Sequence, residues 1–447
     1  MGKTFNITDK KADVEIVETK PPKEEIVPQK DVKKEEVKNP VQEQENTEPV
    51  TENSGDENIK VKKVFNFKPF IFPIVAILCL TGITLFYYFG IYKAKPLSPS
   101  DVISFNPNYI SALPTSSTFK SDLHLLSKPN EPKTEASPLN GILFTKKEID
   151  ELKKKRPVAV MINNHSMSRP QSGLNSSDIV IEADAEGGIT RYMAIFWSDA
   201  PKKVGPFRSM RQYHVEWASE YDPLIIRSGC ATTDNPRTNS CGNIRAYGLK
   251  DIANIGGWRE YDGRRFAPHN YYSSVISAWE YAEKVNWGGF PTTIQAWQFK
   301  RDANIEDRGK KTVVKTVFHK RLNNGGLYDA TWTYDPVTNS YFRKVGGKVD
   351  IDQESNTQVY AKNIVIQEVK MVSAGDSKGR VIIDTIGEGD AVFLIDGNIV
   401  EGKWKKTSRT DRTKYYDNSG NPIQFNRGRI WIAMIPLSDG EFDIIEQ

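Results

Sequence analysis

From Pro69 to Tyr92 the chain reads PFIFPIVAILCLTGITLFYYFGIY, 24 residues without a charge. As a helix rising 1.5 Å per residue this stretch spans about 36 Å, more than the roughly 30 Å hydrocarbon core of a bilayer. A helix packed in a soluble core shows a polar face, and this one shows none. Tyr87, Tyr88 and Tyr92 gather at its far end, as interfacial aromatics do. Pro73 falls in about the first turn, where proline does least harm. The stretch predicts one transmembrane helix over 69–92. Lys60, Lys62, Lys63 and Lys68 precede it, and Lys93 and Lys95 follow it. The positive-inside bias then puts the N-terminus in the cytoplasm and the body outside the cell membrane. A cleaved secretory signal fits poorly, because the apolar run is long and lies far from the start. A lipoprotein signal would use Cys79, but the bulky Ile77 and Leu78 stand where small residues are needed. An uncleaved signal-anchor is expected.

The two sides of this stretch differ in composition. Residues 1–58 hold 15 Asp/Glu and 9 Lys but one aromatic, Phe5, while the rest of the chain carries a net charge of +10. Such a head buries too little apolar surface to offset the entropy of ordering, so residues 1–63 read as a disordered charged tail. Residues 93–150, rich in Ser, Pro, Asn and Lys, read as an extracytoplasmic linker with a short helix near Thr145–Lys154. Three cysteines in 447 residues exclude a disulfide scaffold, and five histidines leave little room for a His-rich metal cluster. No Walker or dinucleotide glycine pattern follows a strand, so no cofactor is expected. The predicted side of the membrane argues against nucleic acid.

The body is expected to be α+β. In 151–300 short apolar, β-branched runs (PVAVMINN, SSDIVIEADAEGG, ITRYMAIFWS, YDPLIIRSG) alternate with helix-spaced segments (SMRQYHVEWASEY, SVISAWEYAEKV), giving a mixed α/β unit. From 310 to 447 strand runs follow one another (TVVKTVFH, ATWTYDP, SYFRKVGGKVD, NIVIQEVKMV, AVFLIDGNIV, GRIWIAMIP), punctuated by turn pairs such as Asp396-Gly397, giving a mainly β unit.

RPVAVMINN, RPQSGL (169–174), EGGITR (186–191), GPFRSMR (205–211), EYD (220–222) and APHNYY (267–272) occur in this order. Together they resemble the YerB-like family of bacterial cell-envelope proteins, whose members are often lipoproteins. NIVIQEV, GKW and NPIQFNRGRIWIAMIP resemble that family's second, C-terminal domain. The resemblance covers roughly residues 150–440. It implies a two-domain fold and an extracytoplasmic address, and it supplies no reaction. The chain departs from the family where RSGCATTDN stands in place of a Gly-Gly-Ser stretch, and where an uncleaved helix replaces the lipoprotein signal.

Two polar constellations stand out. Glu182, Asp184 and Glu186 follow one another at alternate positions, so on a regular strand they share one face. Three carboxylates on one face suit a polyol or cation site or an acid/base pair for glycan cleavage, and equally a solvated face with Glu186 paired to Arg191. Arg191, Arg208 and Arg211 suit a carboxylate or phosphate of a wall polymer, and equally internal ion pairs. Asn164, His165, Arg169, His269 and Asn270 complete the candidate ligand residues. His165, His214 and His269 lack metal-ligand spacing, and no metal is expected. Cys230 and Cys241 are placed to close a loop if the compartment oxidises. The basic run Lys403, Lys405, Lys406, Arg409, Arg412 and Lys414 around Trp404 suits an anionic polymer or an exposed, solvated hairpin. The expected function is a single-pass envelope protein that binds a wall component or envelope partner through its first body segment. The alternative is a wall-polymer hydrolase using acidic residues around Glu186.

Overall fold

A computed structural model of the chain describes residues 126, 128, 130–310, 312–322 and 324–446. The expected tail, membrane span and most of the linker lie outside the described residues. Among the described residues no helix is long and apolar enough to cross a membrane.

The strands of the central sheet come from the apolar runs. In chain order they begin with β1 (Val158–Asn163), β2 (Ile179–Glu186), β3 (Ile189–Phe196), β4 (Leu224–Ile226) and β5 (Lys250–Ala253). A second sheet contributes β6 (Thr312–Val317), β7 (Ala330–Asp335), β8 (Ser340–Val345), β9 (Lys348–Val349) and β10 (Tyr360–Ala361). The chain then returns to the first sheet with β11 (Asn363–Val369), β12 (Gly387–Ile395), β13 (Asn398–Lys406), β14 (Lys414–Asp417) and β15 (Ile430–Pro436). It ends with β16 (Glu441–Glu446), beside β6.

Ten strands form the central sheet in the order β14-β13-β12-β11-β15-β2-β3-β1-β4-β5. The mainly β segment thus supplies half of a sheet that the first segment completes, joined where β15 runs parallel to β2 with Trp431 opposite Val180. Both faces of this sheet are covered, which is why β1 and β15 are buried at every position and read as unbroken apolar runs. Alternate side chains feed two cores. Ala159, Met161, Ile432 and Met434 face one, together with Ile149 and Leu152 of α1 (Lys146–Lys153), Tyr213 and Trp217 of α2 (Gln212–Ala218) and Ile244 of α3 (Ser240–Ala246). Val158, Val160, Trp431 and Ala433 face the other, with Trp332, Tyr334 and Tyr341 of the second sheet and Val275 and Trp279 of α4 (Val275–Lys284).

All four α-helices among the described residues precede residue 300, and the regular elements after it are strands and two short 3-10 turns. The folded body starts earlier than the linker boundary expected at 150. Leu139, Phe144, Ile149 and Leu152 are buried in the first core, and a capping box with Thr145 and Glu148 starts α1.

Candidate functional site

Seven strands, β1, β2, β4, β5, β11, β13 and β15, run in one direction, with β3 antiparallel between β2 and β1 and β12 antiparallel between β11 and β13. Their carboxyl ends therefore share one edge of the sheet, the edge at which open parallel sheets present ligand sites. Asn163 ends β1 there, and Asp184 and Glu186 end β2.

The three carboxylates of β2 do not share a face, contrary to the alternation expected from sequence. Opposite β3, Glu182 aligns with Tyr192 and Asp184 with Thr190, but Glu186 aligns with Ile189 because a β-bulge intervenes. One extra residue reverses the side on which the next side chain emerges. Glu186 therefore meets Arg191, which shares the face of Ala183. The turn that follows needs positive φ at both Gly187 and Gly188, as a two-residue type I′ hairpin does. A Cβ on Gly188 would lie 1.9 Å from the Leu322 carbonyl oxygen, so glycine is also needed for the close approach of that loop.

Glu182 is fully buried and sealed into the structure. Arg343 of β8 donates to both of its oxygens at 2.9 Å, Thr190 Oγ1 donates at 2.9 Å and Trp431 Nε1 at 3.0 Å. No substrate reaches it. Glu186 is clamped between Arg191, at 2.8 Å, and Arg211. Burial alone would raise its pKa, but the two guanidinium groups outweigh that and hold it below the ordinary value, so it carries no proton to donate. These two carboxylates are thereby removed as general acids.

Asp184 behaves differently. It is fully buried, no side chain donates to either of its oxygens, and its pKa is pushed up to about 7 by burial first and by the charges of Glu186 and Asp439. His319 Nε2 lies 3.9 Å from Asp184 Oδ2, while His319 Nδ1 lies against Asp439. Sequence reasoning missed His319 and Asp439. Each is an isolated polar residue next to a strand end, and only the junction of β2 with the second segment brings them together.

The arginine trio splits as well. Arg191 and Arg211 are spent on Glu186, and Arg191 also donates to the Ser209 carbonyl at 2.8 Å. Arg208 sits on an extended segment threaded between β1 and the chain after β4. Its N–H donates to the Met161 carbonyl at 2.7 Å, and its carbonyl accepts from Ser228 at 3.0 Å. Its side chain is half-buried and makes no hydrogen bond or ion pair among the described residues. Burial and the charges of Arg191 and Arg211 lower its pKa, and the opposing carboxylate, Glu186, is already bonded to the other two.

His165 and His269 stack with ring centroids 4.3 Å apart. Burial, then Arg208 and Arg169, lower the pKa of His165. Burial, then His165 and Arg208, push that of His269 down to about 4. Arg208 pairs through its backbone with Met161, two positions before Asn163, whose side chain meets His269 Nδ1 at 3.1 Å, so Arg208 and the stacked imidazoles lie at the same strand end.

The remaining expected residues frame it. Asn164 is fully buried, donating to Thr190 at 2.7 Å and accepting from Arg169 Nε at 3.0 Å and Gln171 at 3.1 Å. Arg169 also donates to the Leu327 carbonyl at 3.0 Å. Asn270, fully buried, donates to the Glu260 carbonyl at 2.7 Å and accepts from Arg259 at 2.9 Å. His214 is buried, and its Nδ1 accepts the Arg211 N–H. Cys230 and Cys241 form a disulfide. Among the described residues no group of three or more His, Cys, Asp or Glu is arranged to hold a metal ion. The basic run of the second segment is not an open cationic strip. Lys403 and Lys405 pair with Asp390 and Glu388 across the hairpin, Lys406 is buried against Glu220, and Arg412 is buried between the rings of Tyr221 and Trp297.

A family model described as "Protein of unknown function (DUF3048) N-terminal domain" matches residues 144–288, and the corresponding C-terminal domain model matches residues 320–432. "Putative lipoprotein YerB" of Bacillus subtilis (strain 168) is 31% identical over 317 residues, which is 70% of this chain and 89% of that protein. The chain belongs to the YerB-like family. The crystal structure of YerB protein from Bacillus subtilis superposes with a TM-score of 0.58 at 27% identity, covering 69% of this chain and all of the other. The sheet junction and its carboxyl edge lie within the span of this YerB-like body.

Proposed function

We propose that this YerB-like protein is held at the cell membrane by the apolar stretch at 69–92. Its body then stands outside the cell and binds a wall component or an envelope partner at the carboxyl edge of the central sheet. The lipoprotein name of the Bacillus relative and the Cys230–Cys241 disulfide favour an extracytoplasmic address. The observation that carries binding is Arg208, a half-buried cation left without a counter-ion where residues from several chain segments converge. The hydrolase alternative is disfavoured, because Glu182 is sealed, Glu186 is held ionised, and Asp184 is out of reach of solvent.

The test is co-sedimentation of the purified full-length protein with isolated cell-wall sacculi across a salt series. Binding that survives physiological ionic strength is expected of a shaped site. Binding that disappears there would reduce the interaction to charge attraction by the basic body. No binding at any salt would remove the wall polymer as ligand.

A further inference from the structure

The hydrogen bonds around the histidine pair fix which ring nitrogens carry protons. Asn163 Oδ1 accepts the His165 backbone N–H at 3.0 Å, which orients the amide and leaves Nδ2 as the donor. Nδ2 lies 3.1 Å from His269 Nδ1, so that nitrogen is an acceptor and the neutral ring carries its proton on Nε2. Ser168 Oγ lies 3.2 Å from the same Nδ1 and reinforces the assignment. His165 Nδ1 accepts the Met167 backbone N–H at 3.2 Å, so the neutral His165 also carries its proton on Nε2. Neither Nε2–H has a hydrogen-bond partner among the described residues. The guanidinium of Arg208, whose backbone pairs with Met161 two positions before Asn163, has none either, and it offers only donors.

Resting on the reading above, we propose that Arg208, His165 and His269 form a cradle for an oxyanion, the phosphate or carboxylate of an envelope polymer, bound through the guanidinium and the two Nε2–H groups. The physical argument is saturation. The other charges that act on Arg208 are paired with one another, Glu186 with Arg191 and Arg211, and Asn163 and Ser168 hold the inner edge of the His269 ring. What remains is a set of donors with no acceptor, and its electrostatics favour an incoming negative charge. The framework explains why the motif carries Asn163 immediately before Asn164 and His165. Asn163 sets both the turn and the tautomer, while Asn164 ties the same turn to Thr190 and Arg169.

The probe is inorganic phosphate, added to full-length protein labelled with carbon-13 in its five histidine rings. Two ring signals, assigned by His165→Gln and His269→Gln, should shift together and saturate. Arg208→Gln should weaken the apparent affinity about tenfold or more, and Arg208→Lys should restore part of it. In parallel, sacculi are compared before and after chemical removal of their phosphate polymers. Loss of binding on stripping assigns the anion to phosphate. Retained binding that still depends on Arg208 assigns it to carboxylate. If sacculi bind wild type and Arg208→Gln alike and phosphate shifts neither ring, the cradle is wrong while the envelope-binding reading stands. If phosphate saturates both rings but sacculi never bind, the cradle stands and the wall reading fails.

Discussion

Two arginines at the central sheet show how the same side chain serves opposite ends. Arg343 is fully buried between the two sheets, bonded to Glu182 and Asp350 and stacked against Tyr192, Trp332 and Trp431. Its carboxylate partners outweigh burial and keep it firmly charged. Arg208, at the carboxyl edge, is half-buried with no carboxylate of its own. The first is part of the scaffold because its charge is fully spent inside the molecule. The second has no partner for its charge among the described residues, which is what the proposed anion site rests on. Saturation, rather than residue type or motif, separates scaffold from site here.

The comparison is broken most forcefully at Arg343. Arg343→Leu removes one member of a buried charge cluster and leaves Glu182 and Asp350 without their counter-charge in a low-dielectric core. A loss of about 3–5 kcal/mol is expected, read by urea or guanidinium unfolding. Because Glu182 lies on β2 and Arg343 on β8, the loss should appear in both segments as one transition. Two separate transitions would show that the segments do not share their stability.

Glu186→Gln attacks the other side of the comparison. It should turn Arg191 and Arg211 from paired scaffold into unpaired cations and cost about 2 kcal/mol of stability. It should also strengthen the response to added phosphate, because three guanidinium groups rather than one then lack a counter-charge. Weaker phosphate binding in this variant would mean that Glu186 itself positions the donors.

Much of the scaffold could be read from the chain, and much of the site could not. The runs VAVMIN and IWIAMIP announce strands buried on both faces, and both are observed as such. The hairpin at Asp396-Gly397 falls where the turn pair marks it, between β12 and β13. Glu182, Asp184 and Glu186 looked equivalent because their spacing is equal. The bulge that separates them is a property of pairing with β3, which a single strand's sequence does not encode. Arg343 sits in SYFRKV on the same strand face as Tyr341 and Val345, and nothing local says what would pair a charge placed there. Its real environment is set by a carboxylate 161 positions away. Local periodicity therefore predicted elements, while long-range charge pairing decided roles.

Asp184 lies between the two cases, neither paired like Glu182 nor open like Arg208. Its pKa in the folded protein is about 7, against an ordinary 3.8. The folded state thus binds a proton that the unfolded state has already released between these values. The stabilisation is fully present below about pH 4 and is lost as pH rises through 7. Asp184→Asn removes that dependence and should stabilise the protein above pH 7 by about 2 kcal/mol relative to wild type, with little difference at pH 4. Thermal unfolding of both proteins across this range reads the effect. A variant less stable than wild type at pH 8 would mean that the contact with His319, 3.9 Å away, stabilises the Asp184 carboxylate more than burial penalises it.

The smallest expected effect is the one that most sharpens the contrast. Arg208→Gln should leave unfolding within about 0.5 kcal/mol of wild type, because no internal partner is orphaned by its removal. Burial and two neighbouring cations already act against its charge, so the sign of the small change should be towards stability. The same relief should be visible in the ring beside it. With Arg208 gone, the His269 pKa should climb from about 4, since one of the charges holding it down has been removed. A site that gains or loses nothing in stability while an adjacent imidazole changes its titration is a site whose charge is kept for something outside the fold. An Arg208→Gln variant that unfolds as easily as Arg343→Leu would instead place Arg208 in the scaffold and erase the distinction between the two arginines.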